Sequence, residues 1–467
     1  MGKKVLFAFL FVLLVIPSCR TYYQKHREFN NLFASGRLEE AAQILDNDKK
    51  AKKKRNKILY LMNQGTVNHL LGNYYKSNEY FEEAYILGED YLKDYLNETL
   101  ALFSNPKVTE YKGEDFELLL IHYYKAMNFI QLKNYDAALV ECRRMNNKLN
   151  VLNDKFKSNR RYRRDAFIHN LMGIIYDATG EYNNAFVAYR NAYNAYSEDY
   201  QELFGVDAPE QLKQDLLRTA YKNGFKDQVE FYESLFETTY QHKDQNGEGE
   251  LVFFWQNGLG PVKEEWSINF VAVRGSGGQV TFVNEELGLS FDFHLSPGQN
   301  PSNTLGDLKT LKIAFPKFVE RRRVYHAARI RINSATHKLQ HAQDINAIAF
   351  KSLEDRMLRE FGKALLRLAV KQTTEAVVRK ENQSIGAILG LAGTISEQAD
   401  TRNWQTLPHS IYYTRIQLPK GQQQLALELI NRNGNTARTV NLKTNIKPGQ
   451  TSFINFHTLD AMPPEIY

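Results

Sequence analysis

Two pairs of residues have the types and spacing that could carry chemistry. His337 and His341 stand four residues apart and could in principle share a metal ion, but no glutamate base lies between them and polar residues flank them. Glu264 and Glu265 are adjacent, so on a strand their side chains point to opposite faces and cannot form a catalytic acid–base pair. Neither pair therefore predicts a metal site or a catalytic site.

The motifs of common enzyme classes are also missing. Arg274-Gly275-Ser276-Gly277-Gly278 lacks the Gly-x-Ser-x-Gly spacing of a nucleophile elbow and predicts a hairpin turn. The sequence contains no Gly-x-x-x-x-Gly-Lys-Ser/Thr phosphate loop, no Cys-x-x-Cys pair and no His-Glu-x-x-His helix. We therefore predict that the protein is not an enzyme and has no catalytic residue, no metal site and no cofactor.

The first cysteine has a clear chemical use. Met1–Lys4 is basic, and Val5–Ile16 is an unbroken apolar run that is too short to span a bilayer but is typical of a secretory signal. The phrase Ile16-Pro17-Ser18-Cys19 resembles the bacterial lipoprotein box, in which cleavage leaves the cysteine as a lipid-modified N-terminus. We predict a signal peptide over residues 1–18 and acylation of Cys19, for example by palmitate. An ordinary signal peptide with a chance cysteine is the alternative.

The residues after Cys19 bear on location. No Asp follows the cysteine, which by the same resemblance argues against retention in the inner membrane. The acidic cluster that directs some bacterial lipoproteins to the cell surface is also missing after Cys19. We predict a lipid anchor in the outer membrane, facing the periplasm. The formal charge of +7 permits contact with anionic lipid or glycan but does not require it, and export makes nucleic acid a poor candidate partner. The basic run 49–55 is a solvated loop or a contact with lipid head groups.

A repeated helix-turn-helix pattern fills the first half of the chain. In His169–Tyr193, small and large residues recur three and four apart, with a glycine between two apolar segments. This pattern resembles the tetratricopeptide repeat (TPR), a helical hairpin of about 34 residues. We predict that the following residues pack within such hairpins: Gly65, Gly72, Tyr74, Phe81, Ala84, Ala126, Tyr135, Ala138, Gly173, Tyr176, Gly180, Tyr182, Ala185, Tyr189 and Ala192.

The repeats are irregular. Their turns fall at Gly36, Gly72, Lys133, Gly180 and Gly224, at separations that exceed the repeat period, so insertions lie between them. Stacked repeats bury a continuous core and present a concave face, and we expect any partner to bind to the first helix of each hairpin on that face. A generic helical bundle is the alternative. Cys142 occupies an apolar position and predicts a buried, inert thiol.

The second half changes composition after a polar, glycine-rich stretch. Short β-rich segments bounded by Gly and Pro follow, interrupted by an amphipathic helix over about 344–380. We predict an α + β multidomain protein: a TPR-like α-solenoid over 19–240, a linker over 241–250, and an antiparallel β-rich, sandwich-like domain with one long helix over 251–467.

Two phrases in this half stand out. One runs from Asn257 through Gly258-Leu259-Gly260-Pro261 to Lys263 and Glu264, and the other runs from Asp400 through Arg402 and Trp404 to Pro408. Joined to the TPR half, they resemble an uncharacterised family of bacterial TPR-containing outer-membrane lipoproteins, a resemblance that implies the two-part fold and brings no catalytic residues. Lys263, Glu264, Arg402 and Trp404 either brace a loop between helix and sheet or face a partner.

The segment 385–395 is apolar and rich in small residues, with Gly386 and Gly390 in Gly-x-x-x-Gly spacing. It is too short to span a bilayer. A buried helix is one interpretation, and partial membrane insertion or a mobile partner-binding segment is the other.

We therefore predict a membrane-anchored periplasmic adaptor that binds unidentified protein partners in an envelope assembly or secretion complex. Two alternatives stay open: a glycan-binding (for example peptidoglycan-binding) or enzymatic module in the C-terminal half, and a structural subunit of a secretion apparatus.

Overall fold

The structure, a computed structural model, describes residues 20–95, 109–155, 164–242, 247–275, 279–294, 310–357 and 399–465. The predicted signal peptide, Cys19 and the segment 385–395 lie outside these ranges. Within them the chain is a mixed α and β protein, helical in its first half and mainly β-stranded in its second.

The helical half is a series of hairpins. Its helices are α1 Tyr22–Lys25, α2 Arg27–Ala34, α3 Leu38–Asn47, α4 Lys57–Leu70, α5 Tyr74–Tyr95, α6 Asp115–Gln131, α7 Tyr135–Lys155, α8 Ala166–Ala178, α9 Tyr182–Ala195, α10 Gln201–Phe204, α11 Glu210–Lys222 and α12 Lys226–Leu235. A short 3₁₀ turn (Lys54–Asn56) precedes α4, and a π-helical turn (Tyr196–Tyr200) joins α9 to α10. Successive helices pack in pairs: α2 with α3, α4 with α5, α6 with α7, α8 with α9, and α11 with α12.

The five predicted turn positions each close one hairpin. Gly36, Gly72, Gly180 and Gly224 have φ of 75°, 77°, 80° and 70°, the left-handed conformation that glycine adopts without steric cost. Lys133 closes the α6–α7 hairpin with φ 58°. Because a side chain in this region is disfavoured, the backbone at Lys133 is strained relative to the glycine turns.

Close packing inside the hairpins depends on glycine. A Cβ placed on Gly65 would lie 2.6 Å from the ring of Phe81, and one on Gly173 would lie 2.4 Å from the ring of Tyr189. In both hairpins the aromatic residue follows the glycine by sixteen positions. The small residue of the first helix therefore makes room for the large residue of the second.

The described residues of the second half form three four-stranded sheets. The strands are β1 Glu248–Asn257, β2 Val262–Arg274, β3 Gln279–Asn284, β4 Leu289–His294, β5 Thr310–Val319, β6 Ala327–Ile332, β7 Ala335–Lys338, β8 Gln340–Asp344, β9 Ser410–Pro419, β10 Gly421–Ile430, β11 Thr436–Ile446 and β12 Thr451–Thr458. The inner sheet has the order β12-β1-β9-β8, the outer sheet β11-β10-β6-β7, and the side sheet β4-β3-β2-β5.

The inner sheet lies between the helices and the outer sheet. Leu251, Phe253 and Trp255 of β1 share a core with the outer sheet, whereas Val252 and Phe254 belong to the core of the helical half. Both faces of β1 are buried, which explains its unbroken apolar run. The two halves of the chain therefore share a hydrophobic core. The predicted linker at 241–250 marks a change in composition, but the halves on either side of it pack against each other.

Strand pairing departs from the expected pattern once among the described strands. β1 pairs with β9 in antiparallel register but with β12 in parallel register, Leu251 opposite Ser452. The remaining described pairs are antiparallel. The C-terminal strand thus enters the sheet beside the first strand, and this long-range pairing fixes the end of the chain against the helices.

The amphipathic helix predicted over about 344–380 begins at residue 345 and is described as far as 357. The side chain of Asp344 accepts a hydrogen bond from the backbone N–H of Ala347 at 2.8 Å and so caps its N-terminus. Ile345, Ile348 and Ala349 join the core of the helical half, and the ring of Phe350 lies 6.0 Å from that of Phe318 on β5.

Candidate functional site

The concave face of the helical hairpins is the place where we expected a partner to bind. The first helices of the hairpins, α4, α6 and α8, are buried along almost their whole length. The inner sheet covers them: the rings of Phe167 and Phe254 lie 6.2 Å apart, and Gln256 Nε2 donates to Tyr123 Oη at 3.2 Å. The C-terminal half of the same chain therefore occupies the surface that we had assigned to a partner.

Trp404 fills the centre of this face. Its backbone N–H donates to Glu117 Oε1 at 2.6 Å, and its indole N–H lies 2.8 Å from Thr406 Oγ1 and 3.2 Å from Thr66 Oγ1. Its ring lies 5.5 Å from the ring of Tyr124 and 5.7 Å from that of Phe81. Only 1% of Trp404 is exposed. The loop that carries it is thus anchored by both hydrogen bonds and aromatic packing.

Arg402 braces the same loop. It pairs with Asp400 through Nε at 2.8 Å and through Nη2 at 2.7 Å. It also donates to the backbone carbonyls of Arg55 at 2.9 Å and Thr109 at 3.0 Å. One guanidinium therefore joins the loop to two separate segments of the helical half.

Lys263 and Glu264 are buried at the start of β2. Lys263 Nζ pairs with the carboxylate of Glu114, which also accepts from Arg356 at 2.7 Å. Glu264 is 3% exposed and its nearest cation is Lys317, at 3.9 Å. Burial raises the pKa of Glu264.

Lys263, Glu264, Arg402 and Trp404 therefore face their own chain. Of the two alternatives, a braced loop and a partner-facing edge, the structure has the braced loop. The physical reason is that the loop packs against Thr66 of α4 and Glu117 of α6, and that Lys263 pairs with Glu114 just before α6. Local sequence does not encode these long-range contacts. These residues brace the junction between the two halves.

Glu117 is the hydrogen-bonding centre of this junction. It accepts from Trp404, from Tyr111 Oη at 2.7 Å and from the backbone N–H of Glu114 at 3.0 Å. Complete burial, with the nearby charge of Glu114, raises the pKa of Glu117 to about 7. Glu114 is buried too, but Arg356 and Lys263 outweigh the cost of burial and lower its pKa.

A second buried network lies between α8, α11 and the inner sheet. Arg415 on β9 lies 3.0 Å from Asp177 and 3.1 Å from Asp215, and it also pairs with Glu250. Arg218 bridges the same two aspartates at hydrogen-bonding distance. Burial opposes charge on Asp177, but the two arginines outweigh it and hold its pKa well below the usual value. This network is a second ionic attachment between the two halves.

His69 links the inner sheet to two hairpins without carrying a charge. Its Nδ1 lies 2.6 Å from Asn128 Oδ1, and its Nε2 lies 2.8 Å from the side-chain nitrogen of Asn455 on β12. A neutral imidazole that donates through Nδ1 and accepts through Nε2 satisfies both contacts. Burial lowers the pKa of His69 to about 4, in keeping with this state.

The residues predicted to pack within the hairpins separate into two groups. Gly65, Phe81, Ala84, Ala126, Ala138, Gly173, Ala185, Tyr189 and Ala192 are buried between paired helices, whereas Tyr74, Tyr135, Tyr176 and Tyr182 are half-buried and Gly72 and Gly180 lie at exposed turns. Tyr189 also accepts a hydrogen bond from Arg415 at 3.0 Å, so it takes part in the second network. Cys142 is a buried free thiol, and burial raises its pKa.

Neither ionic network was predicted from the sequence. A signal was present, because the apolar first helices carry polar residues such as Asn63, Glu117, His122 and Asn128 where a buried face was expected. Such residues need partners when buried. The partners come from distant strands, so spacing alone could not identify them.

The candidate chemical residues are not brought together. His337 lies on β7, whereas His341 lies on β8 with its ring 4.8 Å from that of Tyr412. Glu265 accepts a hydrogen bond from the backbone of Ala399 at 2.7 Å. In the part of the chain that the structure describes, no group of three or more His, Cys, Asp or Glu side chains could hold a metal ion.

The side sheet presents exposed apolar side chains around a groove. Val271 and Val273 on β2 are 55% and 53% exposed, and Leu287 in the turn after β3 is 44% exposed. They border a shallow groove of ≈ 420 Å³, which is also lined by Trp266, Ser267, Ile268, Asn269, Val283, Asn284, Glu285 and Glu286. Among the described helices, none is both long enough and apolar enough to cross a bilayer.

Comparison with known proteins does not identify a family for this chain. No protein-family profile matches the sequence, and no curated protein matches it. BtubC from P. vanneervenii is 16% identical, with 48% of this chain and 80% of that chain covered and a TM-score of 0.28. A tetratricopeptide repeat protein from Parabacteroides merdae is 15% identical, with 46% of this chain and 79% of that chain covered and a TM-score of 0.20. At these TM-scores, the likenesses leave family and function open.

Proposed function

We propose that the protein is a lipid-anchored periplasmic scaffold of TPR-like hairpins and a sandwich-like β-domain, which holds a protein partner in an envelope assembly or secretion complex. The observation that carries the proposal is the exposed apolar face of the side sheet. Isolated apolar residues on a surface are ordinary, but Val271, Val273 and Leu287 border one groove, which is typical of a protein-binding surface.

The filled concave face changes where a partner can bind. Trp404, the inner sheet and two ionic networks occupy the first helices of the hairpins, so a peptide could enter only by displacing them. The scaffold therefore acts as one body and offers its outer surfaces. The side sheet is one of these, and its exposed apolar side chains border a groove.

The proposed anchor lies next in sequence to this region. The backbone N–H of Tyr22 in α1 donates to Thr401 Oγ1 at 2.9 Å, and α1 also packs against β2 of the side sheet. Since Tyr22 follows Cys19 by three residues, the lipid would hold the side sheet near the membrane surface.

The anchor is tested by membrane fractionation. Cys19→Ala should move the protein from the outer-membrane fraction to the soluble periplasmic fraction, because two or three acyl chains supply nearly all of the membrane affinity. Unchanged fractionation of the variant would refute the anchor.

The partner surface is tested by envelope cross-linking and pull-down. Val271→Asp with Val273→Asp should abolish capture of the partner, because the two charges oppose burial of the groove. Val187→Asp, at a 39% exposed position on α9, is the matched control and should leave capture intact. Equal capture by all variants would exclude the side sheet, whereas recovery in a ring of fixed stoichiometry would favour a structural subunit of a secretion apparatus.

A further inference from the structure

The outer face of the outer sheet is polar and basic. On β10, Leu425, Leu427 and Leu429 point into the core between the sheets, so the alternate positions point outward. The outward cations are Arg329 and Arg331 on β6, Lys338 on β7 and Lys443 on β11, against one outward carboxylate, Glu428 on β10. This face therefore carries a net charge of +3 from these five groups (four cations minus one anion).

Glu428 orients the two arginines. It accepts from Nε of Arg329 and from Nε of Arg331, each at 2.7 Å, and its side chain is only 9% exposed. The arginine side chains are 43% and 51% exposed. Because each guanidinium uses Nε for Glu428, its terminal nitrogens remain available for a planar acceptor such as a carboxylate.

Uncharged hydrogen-bonding groups surround these cations. Gln424 lies opposite Lys443, Asn441 lies opposite Ala426, and Gln422 lies opposite Asn445 across the β10–β11 pair. The four amides, Gln422, Gln424, Asn441 and Asn445, are all exposed. From strand spacing, the four strands span roughly 14 Å, and the outward residues run about 20 Å along β10. The face could hold several units of an extended polymer.

We propose that this face binds a polysaccharide that carries carboxylate groups. The guanidiniums match carboxylates and the amides match sugar hydroxyls, both by hydrogen bonding. Among the outward positions of these described strands, none is aromatic, which disfavours stacking of single-stranded bases, and their apolar side chains are too few to enter a bilayer. The proposal concerns a second surface and does not depend on the partner of the side sheet.

The test measures binding of the full-length protein in detergent to polygalacturonate, by titration calorimetry at several salt concentrations. We expect saturable binding, weakened by salt, and no binding to neutral dextran. Arg329→Gln with Arg331→Gln should raise the Kd at least about tenfold, since hydrogen bonds to charged groups are lost. Lys49→Gln with Lys50→Gln removes the same charge from an exposed loop of the helical half and should leave the Kd unchanged.

Glu428→Gln separates orientation from simple attraction. The substitution makes the face more positive, so attraction between net charges alone would lower the Kd. Glutamine keeps only one acceptor oxygen and carries an N–H donor in place of the other, so it cannot orient both arginines, and the Kd should instead rise by about threefold or more. A lowered Kd would refute the proposal that Glu428 orients the two arginines for binding.

Other outcomes would also overturn the proposal. These are no binding of polygalacturonate, an equal effect of the control pair, or binding of single-stranded DNA as tight as that of the polysaccharide. Equally tight binding of the detergent-free Cys19→Ala protein, which lacks the proposed anchor, to phosphatidylglycerol vesicles would overturn it as well. An unchanged thermal midpoint in each variant would establish that a changed Kd does not reflect unfolding.

Discussion

Replacing Trp404 should strongly destabilise the protein, because this residue joins the two halves. Its ring packs against Phe81 and Tyr124, and its indole N–H bonds to Thr66 and Thr406. Trp404→Ala leaves a cavity at a 1% exposed position and should lower the free energy of unfolding by about 3–5 kcal/mol. Trp404→Phe keeps most of the apolar volume and loses chiefly the N–H donor, so it should cost only about 1–2 kcal/mol.

The assay is guanidinium unfolding followed by two probes. Far-UV circular dichroism reports mainly on the helices, and the fluorescence of Trp255 and Trp266, which remain in both variants, reports on the sheets. The wild-type transitions should coincide, because Val252 and Phe254 share a core with the hairpins. In Trp404→Ala the two transitions should separate.

The control is Tyr75→Ala on α5, at a side chain that is 73% exposed, and it should change stability by less than about 0.5 kcal/mol. If Trp404→Ala is no more destabilising than Tyr75→Ala, Trp404 does not hold the loop in the concave face.

Three further substitutions, one of them paired with a control, test other parts of the structure by equilibrium unfolding. Gly173→Ala should cost about 1–3 kcal/mol, because its Cβ would lie 2.4 Å from the Tyr189 ring; no loss would contradict the close packing. Lys133→Gly should stabilise by up to about 1 kcal/mol by relieving φ 58°, whereas Lys226→Gly on α12 should destabilise. The pKa of Glu117 rises to about 7 in the folded state. Its contribution to the free energy of unfolding is therefore fully present below about pH 4.5 and is lost as the pH rises through 7. The free energy of unfolding of Glu117→Gln, relative to that of wild type, should therefore be more favourable at pH 8 than at pH 5. An equal difference between the two proteins at both pH values would refute the raised pKa.

The hairpins could be predicted from sequence because their determinants are local. Gly72 and Gly180 mark left-handed turns, and the spacing of Gly173 and Tyr189 places a small residue against a large one within one hairpin. Helical periodicity and turn chemistry act over a few residues, so they are visible in the chain. The same holds for the mixture of helix and sheet, and for the buried thiol of Cys142.

The site at the junction could not be predicted in this way. The sequence singled out the phrase around Trp404, but it did not show whether these side chains point into the protein or toward a partner. The groups that bury them, such as Thr66 and Glu117, are distant in sequence. The sequence predicted no role for Arg415, although this residue pairs with Asp177 and Asp215 in the fold. A buried charge is tolerable only beside its partners, and those partners are distant in sequence.

Local periodicity and backbone preference specify the helical hairpins, their turns and the β-rich second half, so these features could be predicted from the chain. That the second half covers the first helices of the hairpins is visible only in the folded protein. That arrangement depends on shape, on shared apolar burial and on long-range ion pairs, which become defined only when α4, α6, α8 and the inner sheet meet. The folded protein also shows which surfaces remain open: the apolar side sheet and the basic outer face around Arg329, Arg331 and Glu428.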